Sequence, residues 1–231
     1  MDEIPHRPGK LTREQQRAVK QRQKDFAAAL KSQARAAHWR YAGGWIFRQS
    51  GDWFVDVLPW LLPERGAGLR LLIKPMALDP LFWDIVGASE NHSLPLSFRA
   101  NGAWVLRPAT IDSQAGLDQA DVELLATEVL GVADRQTEAL LETMSLESML
   151  AALPDKDDLF GQQRVLAICL LILAGQTETA FDLCRISSSE DHPIVRGSGF
   201  LTRNPDGSVS TFLDQARDWI ARERRGALRI V

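Results

Sequence analysis

Between residues 12 and 37 the apolar positions recur at helical spacing, with Val19, Phe26, Leu30 and Ala37 on one side. Thr12 stands three residues before Gln15, the pairing in which each side chain serves the other's backbone N–H at a helix start. A helix is therefore predicted over about 12–37, preceded by a loose polar arm over 1–10 that contains Pro5 and Pro8. The period then shortens to two. Trp39, Tyr41, Gly43, Trp45 and Phe47 alternate with Arg40, Ala42, Gly44, Ile46 and Arg48, which is strand spacing. Gln49-Ser50-Gly51-Asp52 is turn chemistry, and a second strand follows over 53–58. A third is expected over 69–73 after a glycine-rich turn at 65–68, giving an antiparallel meander.

Asp79-Pro80 predicts a cap and a first helical residue for a short helix over 81–86. Further strands are expected at 94–98 and 103–106, around Asn101-Gly102. From about residue 113 the pattern is helical. One or two helices cover 117–144, and Ser145 with Ser148 frames another ending near 153. A linker occupies 154–158. A helical hairpin over 159–174 and 177–185 is broken at Gly175-Gln176. Residues 187–210 read as loop with a turn at 204–207, and Thr211 with Asp214 caps a last amphipathic helix to about 225. Segregated strands and helices indicate an α+β fold: an N-terminal helix, an antiparallel sheet of four to five strands, then a mainly helical half. The expected division is 1–112 and 113–231, or one continuous domain.

Composition changes this picture little. Cys169 and Cys184 both lie in apolar helical runs and read as reduced core residues. The N-terminal residues carry no apolar signal-peptide core. The longest apolar run, 165–174, has ten residues, against about 20 for a membrane-spanning helix. A cytoplasmic protein without a membrane partner is expected.

Charge changes it more. Residues 1–48 hold eleven basic groups against four acidic, a balance of +7, while 111–162 hold twelve acidic against two basic, a balance of −10. Arg13, Arg17, Lys20, Lys24, Lys31 and Arg35 fall within roughly 60° of one another on a helix. Asp134, Glu138 and Glu142 repeat at i, i+4, i+8 and share one helix edge. The candidate partner-binding residues are Arg13, Arg17, Lys20 and Lys24 on the basic side. On the acidic side they are Asp118, Asp121, Glu128, Asp134, Glu138 and Glu142. The overall acidity and the lack of a groove-reading motif weigh against nucleic acid as the partner.

Candidate chemistry is sparse. None of His6, His38, His92 and His192 has metal-ligand spacing, and no metal or cofactor is expected. Gly197-Ser198-Gly199 lacks the glycine spacing of a nucleophile elbow. The acidic run at 155–158 lacks the alternation of a calcium loop. Trp39, Trp45, Trp53, Trp60, Trp83 and Trp104 fall in the sheet region and read as a packed face.

The aromatic pattern also carries a likeness. Trp39, Tyr41 and Trp45-Ile46-Phe47-Arg48, then Trp53-Phe54-Val55-Asp56-Val57, then a strand from Leu71 to Lys74, follow a leading helix. Over residues 26–111 the chain resembles a bacterial family of uncharacterised α+β domains grouped with polymorphic-toxin immunity proteins. The resemblance implies a neutraliser of a cognate toxin and supplies no catalytic residues. A protein-binding function, by occlusion of a toxin, is thus the leading expectation. Two others stand beside it. One is an enzyme with a site assembled from Asp56, His92 and His192. The other is a helical adaptor that docks a partner on 159–185, marked by an exposed apolar groove beside Leu170 and Phe181.

Overall fold

The computed structural model describes residues 12–62, 66–102, 105–107, 111–117, 121–155, 159, 161–185, 201–203 and 206–227. Helix α1 (Arg13–Ala34) starts at the expected box, with Gln15 N–H donating to Thr12 Oγ1 at 3.2 Å and Thr12 N–H donating to Gln15 Oε1 at 2.8 Å. It buries Phe26, Ala29, Leu30 and Ala34. His38 adopts a left-handed φ of +59°, and Trp39 N–H returns to the Ala34 carbonyl at 2.8 Å, which closes the helix and turns the chain toward the sheet.

Strands β1 (Arg40–Ala42), β2 (Trp45–Ser50), β3 (Trp53–Leu62), β4 (Gly66–Pro75) and β5 (Ile111–Leu117) form one antiparallel sheet in sequential order. The single strand expected across 39–48 is in fact a hairpin. Gly43 and Gly44 have φ of +58° and +86°, the geometry of a two-residue turn that only glycine adopts freely at both places. The reversal resets the alternation: Tyr41 opposes Ile46 and Ala42 opposes Trp45. Trp45 and Phe47 therefore pack on the opposite face from Trp39 and Tyr41. The glycine-rich stretch expected as a turn instead opens β4, where Gly68 leaves room for the Trp60 indole, 2.6 Å from where a Cβ would stand. Residues 94–98 are not a strand. The chain there leads into the short helix α3 (Phe98–Asn101), residues 105–107 are irregular, and 103–104, with Trp104, lie outside the described residues.

Helix α4 (Val122–Leu141) packs with α1 on one sheet face, over Ile46, Val55, Val57, Leu69 and Leu71. The other face carries a smaller cluster of Trp45, Phe47, Phe54, Leu72 and Ala100. A third cluster joins α2 (Leu78–Val86) with α5 (Leu146–Ala151), α6 (Gly161–Leu173), α7 (Thr177–Arg185) and α8 (Phe212–Ala227). Within it Phe82 stacks on Phe212 with ring centroids 5.7 Å apart. The cores thus cross the expected boundary at 112, since α4 completes the sheet layer and α2 belongs to the helical cluster.

The helical half follows its caps. Ser145 and Ser148 exchange backbone and side-chain bonds at α5, Gly175 (φ +74°) breaks α6 from α7, and Thr211 Oγ1 donates to Asp214 Oδ2 at 2.8 Å at the start of α8. A short hairpin, β6 (Leu201–Arg203) with β7 (Val209–Thr211), replaces part of the expected loop. Cys169 and Cys184 are free and buried; burial pushes the Cys184 thiol up to about 12 and the Cys169 thiol well above its ordinary value. No helix among the described residues is long and apolar enough to cross a membrane. The N-terminal arm and most of the acidic linker, residues 156–158, lie outside the described residues, as do 186–200 with the Gly197-Ser198-Gly199 stretch.

Candidate functional site

The basic stripe of α1 faces solvent. Arg13, Arg17, Lys20, Lys24, Lys31 and Arg35 are all exposed, and their common direction lies roughly 140° around the helix from its buried side. None of the six makes an ion pair with another described residue.

The acidic set divides in two. Glu128 and Glu138 on α4 and Glu142 at its C-cap are exposed, on the side away from buried Leu125, Ala126 and Val129, and have no ion-pair partner among the described residues. Asp121 and Asp134 already have work inside the fold. Asp121 is the α4 N-cap, its Oδ1 accepting from Glu123 N–H at 2.8 Å and Leu124 N–H at 3.3 Å. Asp134 Oδ1 accepts from Trp39 Nε1 at 3.0 Å and from Arg48 Nη1 at 2.6 Å, while the Arg48 guanidinium lies 4.3 Å over the Trp39 ring. The i, i+4, i+8 edge is therefore one structural carboxylate followed by two free ones. Asp118 lies outside the described residues.

The chain also buries charge. Lys74 on β4 donates to Asp79 Oδ1 at 3.1 Å, to the Arg99 carbonyl at 2.9 Å and to the Leu106 carbonyl at 3.0 Å. These use all three protons of an ammonium, so none remains for a substrate. Asp79 is not the helix cap its position suggested: α2 is preceded by Ala77 without a side-chain bond. The Asp79 carboxylate instead faces inward, pairs with Lys74 and accepts from Leu106 N–H at 3.1 Å. Burial pulls the Lys74 ammonium below its ordinary value, with Asp79 opposing. Asp56 lies on the same sheet face, two residues along β3 from Phe54, which pairs with Lys74. Burial raises its carboxyl to about 7, and the Lys74 and Arg107 charges hold the rise back. The cluster ties the backbone of Arg99 and of Leu106 to the sheet. One signal for it is present in the sequence, a lysine inside the apolar run Leu71-Leu72-Ile73-Lys74.

Asp56 and His92 are not brought together. His92 follows α2 on a 3-10 turn (Ser89–Ser93), with its ring edge against Trp83 and its Nε2 2.9 Å from Asp84 Oδ1. Ser89 Oγ donates to that same Asp84 oxygen at 2.9 Å. In a nucleophilic triad the histidine stands between serine and carboxylate; here the carboxylate stands between them, and Ser89 is not activated. His192 lies outside the described residues, and no group of three or more metal-ligating side chains occurs among those described.

A groove of about 440 Å³ opens between α5, α6 and α7. Its apolar floor is Leu150, Leu153, Leu159, Leu171 and Leu183, and Gln176, Thr179 and Asp182 form one wall. It lies on the flank opposite to the one the sequence suggested, because Leu170 is wholly buried and Phe181 is covered by the Arg224 guanidinium, 4.7 Å from its ring. Set against protein-family models, characterised proteins and solved structures, the chain has no match.

Proposed function

We propose that this chain is a protein-binding protein that neutralises a bacterial toxin in the cytoplasm by covering its working surface. The observation that carries the reading is the pair of neighbouring helices α1 and α4. They share one sheet face, yet α1 presents to solvent six cations, and α4 with its C-cap Glu142 three carboxylates, that have no ion-pair partner among the described residues. Separated patches of opposite sign raise encounter rates and select among partners more than they stabilise a fold. The likeness of residues 26–111 to immunity domains points the same way. The α4 edge is the first contact surface, because a toxin that degrades nucleic acid needs a basic face to hold its substrate.

The test is capture with tagged chain from cells that make it, at low and moderate salt, beside Glu138→Lys/Glu142→Lys and Arg17→Glu/Lys20→Glu. One stoichiometric basic polypeptide, lost as salt rises and absent with the Glu138/Glu142 variant, is expected. Equal capture by that variant, judged against its unchanged unfolding midpoint, removes α4 as the contact surface.

A further inference from the structure

The α5–α7 groove involves neither charged helix, so its occupant is independent of the toxin-neutralising reading. Its floor is leucine side chains from α5, α6 and α7 together with Leu153 and Leu159, which lie between α5 and α6 in the chain, and its volume of about 440 Å³ falls within the roughly 300–1,000 Å³ range of binding clefts. Gln176, Thr179 and Asp182 recur every three residues along the wall, which therefore spans about two helical turns, or roughly 10 Å. All three are exposed, and none has a side-chain hydrogen bond or ion pair to another described residue. Neighbouring Glu178 differs, since Arg224 Nη2 reaches its carboxylate at 2.9 Å. Asp155, next in the chain to the lining residue Pro154, is exposed as well.

An apolar floor beside a solvent-exposed polar wall with a carboxylate selects its occupant. A bare acyl chain would fill the floor but make no use of the amide, hydroxyl and carboxylate of the wall, which would stay in water. An amphipathic helix about two turns deep matches both, with apolar anchors one turn apart entering the floor and a cation on its flank meeting Asp182. We infer that this groove docks an apolar–basic helix of a partner protein, anchored by leucine-like side chains and by a lysine or arginine paired with Asp182.

The test uses a fluorescein-labelled peptide of about 14 residues, with Leu at i, i+4 and i+7 and Lys along one flank. It is titrated into the full chain and followed by anisotropy. Two further probes are the same peptide with Glu for Lys and a twelve-carbon fatty acid. Thr179→Trp fills the groove and Asp182→Lys reverses its rim, and both sites are exposed, so neither change removes a core contact. Saturable binding of the Lys peptide is expected, weakened about tenfold or more by Thr179→Trp and roughly three- to tenfold at low salt by Asp182→Lys. The Glu peptide should bind at least about tenfold more weakly than the Lys peptide. Each of these outcomes overturns the inference: no saturable binding, unchanged affinity in Thr179→Trp, equal affinity for the Glu peptide, or displacement of the Lys peptide by the fatty acid. So does a sedimenting dimer that Thr179→Trp converts to monomer, since the groove would then belong to a second copy.

Discussion

The two faces of the sheet are built on different principles. On the face beneath α1 and α4 the sheet's own buried side chains are apolar, Ile46, Val55, Val57, Leu69 and Leu71 among them, and the buried polar side chain Thr137 of α4 is uncharged. On the reverse face Phe54 and Leu72 share the surface with Asp56 and Lys74, and the covering segment is held by an ion pair and two backbone carbonyls as much as by contact. A dry face tolerates sliding and repacking at modest cost. A face with a buried ammonium tolerates neither, because a misplaced partner leaves an uncompensated charge. The reverse face therefore specifies where the backbone at Arg99 and at Leu106 must lie, a task that its few apolar side chains do poorly.

The sharpest way to break this contrast is to remove one charge. Lys74→Met leaves Asp79 sealed with the Leu106 N–H and, as its one charged partner among the described residues, Arg99 Nη1 3.7 Å away. Urea unfolding should show a loss of about 3–5 kcal/mol. Lys74→Met with Asp79→Asn should lose clearly less, since the amide oxygen still accepts from Leu106 N–H while the charge is gone. A double variant as unstable as the single would mean that the cluster acts by shape alone. On the apolar face Leu69→Ala, at a wholly buried position, should cost about 2–5 kcal/mol. There no second substitution that adjusts charge should restore the loss.

The same contrast explains what is legible in the chain alone. Caps and periodic faces are: Thr12 with Gln15, Ser145 with Ser148, Thr211 with Asp214, and the apolar sides of α1 and α4. These depend on neighbours in sequence. The hairpin at Gly43-Gly44 reads as one strand because its turn preserves an unbroken alternation on paper while swapping the faces in space. Strand β5 escapes a sequence reading because Ile-Asp-Ser-Gln-Ala-Gly-Leu has almost no β-branched or aromatic content and is set by the edge of β4. Asp79 is a good cap by local rules, yet a lysine five residues earlier in the chain captures it. Of the candidate binding residues, those whose role is local exposure stand where the helical wheel puts them. Asp134 stands on its expected helix edge too but is taken up inside the fold by Trp39 and Arg48, which lie far back in the chain.

Asp56 sharpens the comparison by pH. Its carboxyl titrates at about 7 in the fold against 3.8 in an unfolded chain. The folded state therefore binds the extra proton between those values. The stabilisation from the neutral acid is complete below pH 3.8 and is lost as pH rises through 7. At about 1.4 kcal/mol per unit the loss is on the order of 2–4 kcal/mol. Asp56→Asn should thus be more stable than the parent by that order at pH 8 and equal to it near pH 3.5. A difference that stays flat across pH would show that Asp56 is ionised throughout and paired more tightly with Lys74 than its burial suggests.

A smaller effect is expected where the two faces join. Gly43→Ala places a side chain at φ +58° and 2.7 Å from Asn101 Nδ2, and should cost about 1–2 kcal/mol. If Asn101→Gly relieves part of that cost, steric contact contributes; if it relieves none, backbone strain at the turn is the whole effect.

Least of all should change when the outer surface of α1 is reversed. Arg17→Glu with Lys20→Glu touches side chains that have no ion-pair partner among the described residues and stand away from Phe26 and Leu30. The unfolding midpoint should shift by no more than the equivalent of about 0.5 kcal/mol. A small gain is the expected sign, because Arg13, Lys24 and the other cations of that helix repel the two removed. A large loss instead would mean that the stripe is anchored to acidic groups of α4, in which case both patches belong to the fold and neither is free for a partner. The stability of this one variant therefore tests whether the stripe belongs to the architecture, before any partner is in hand.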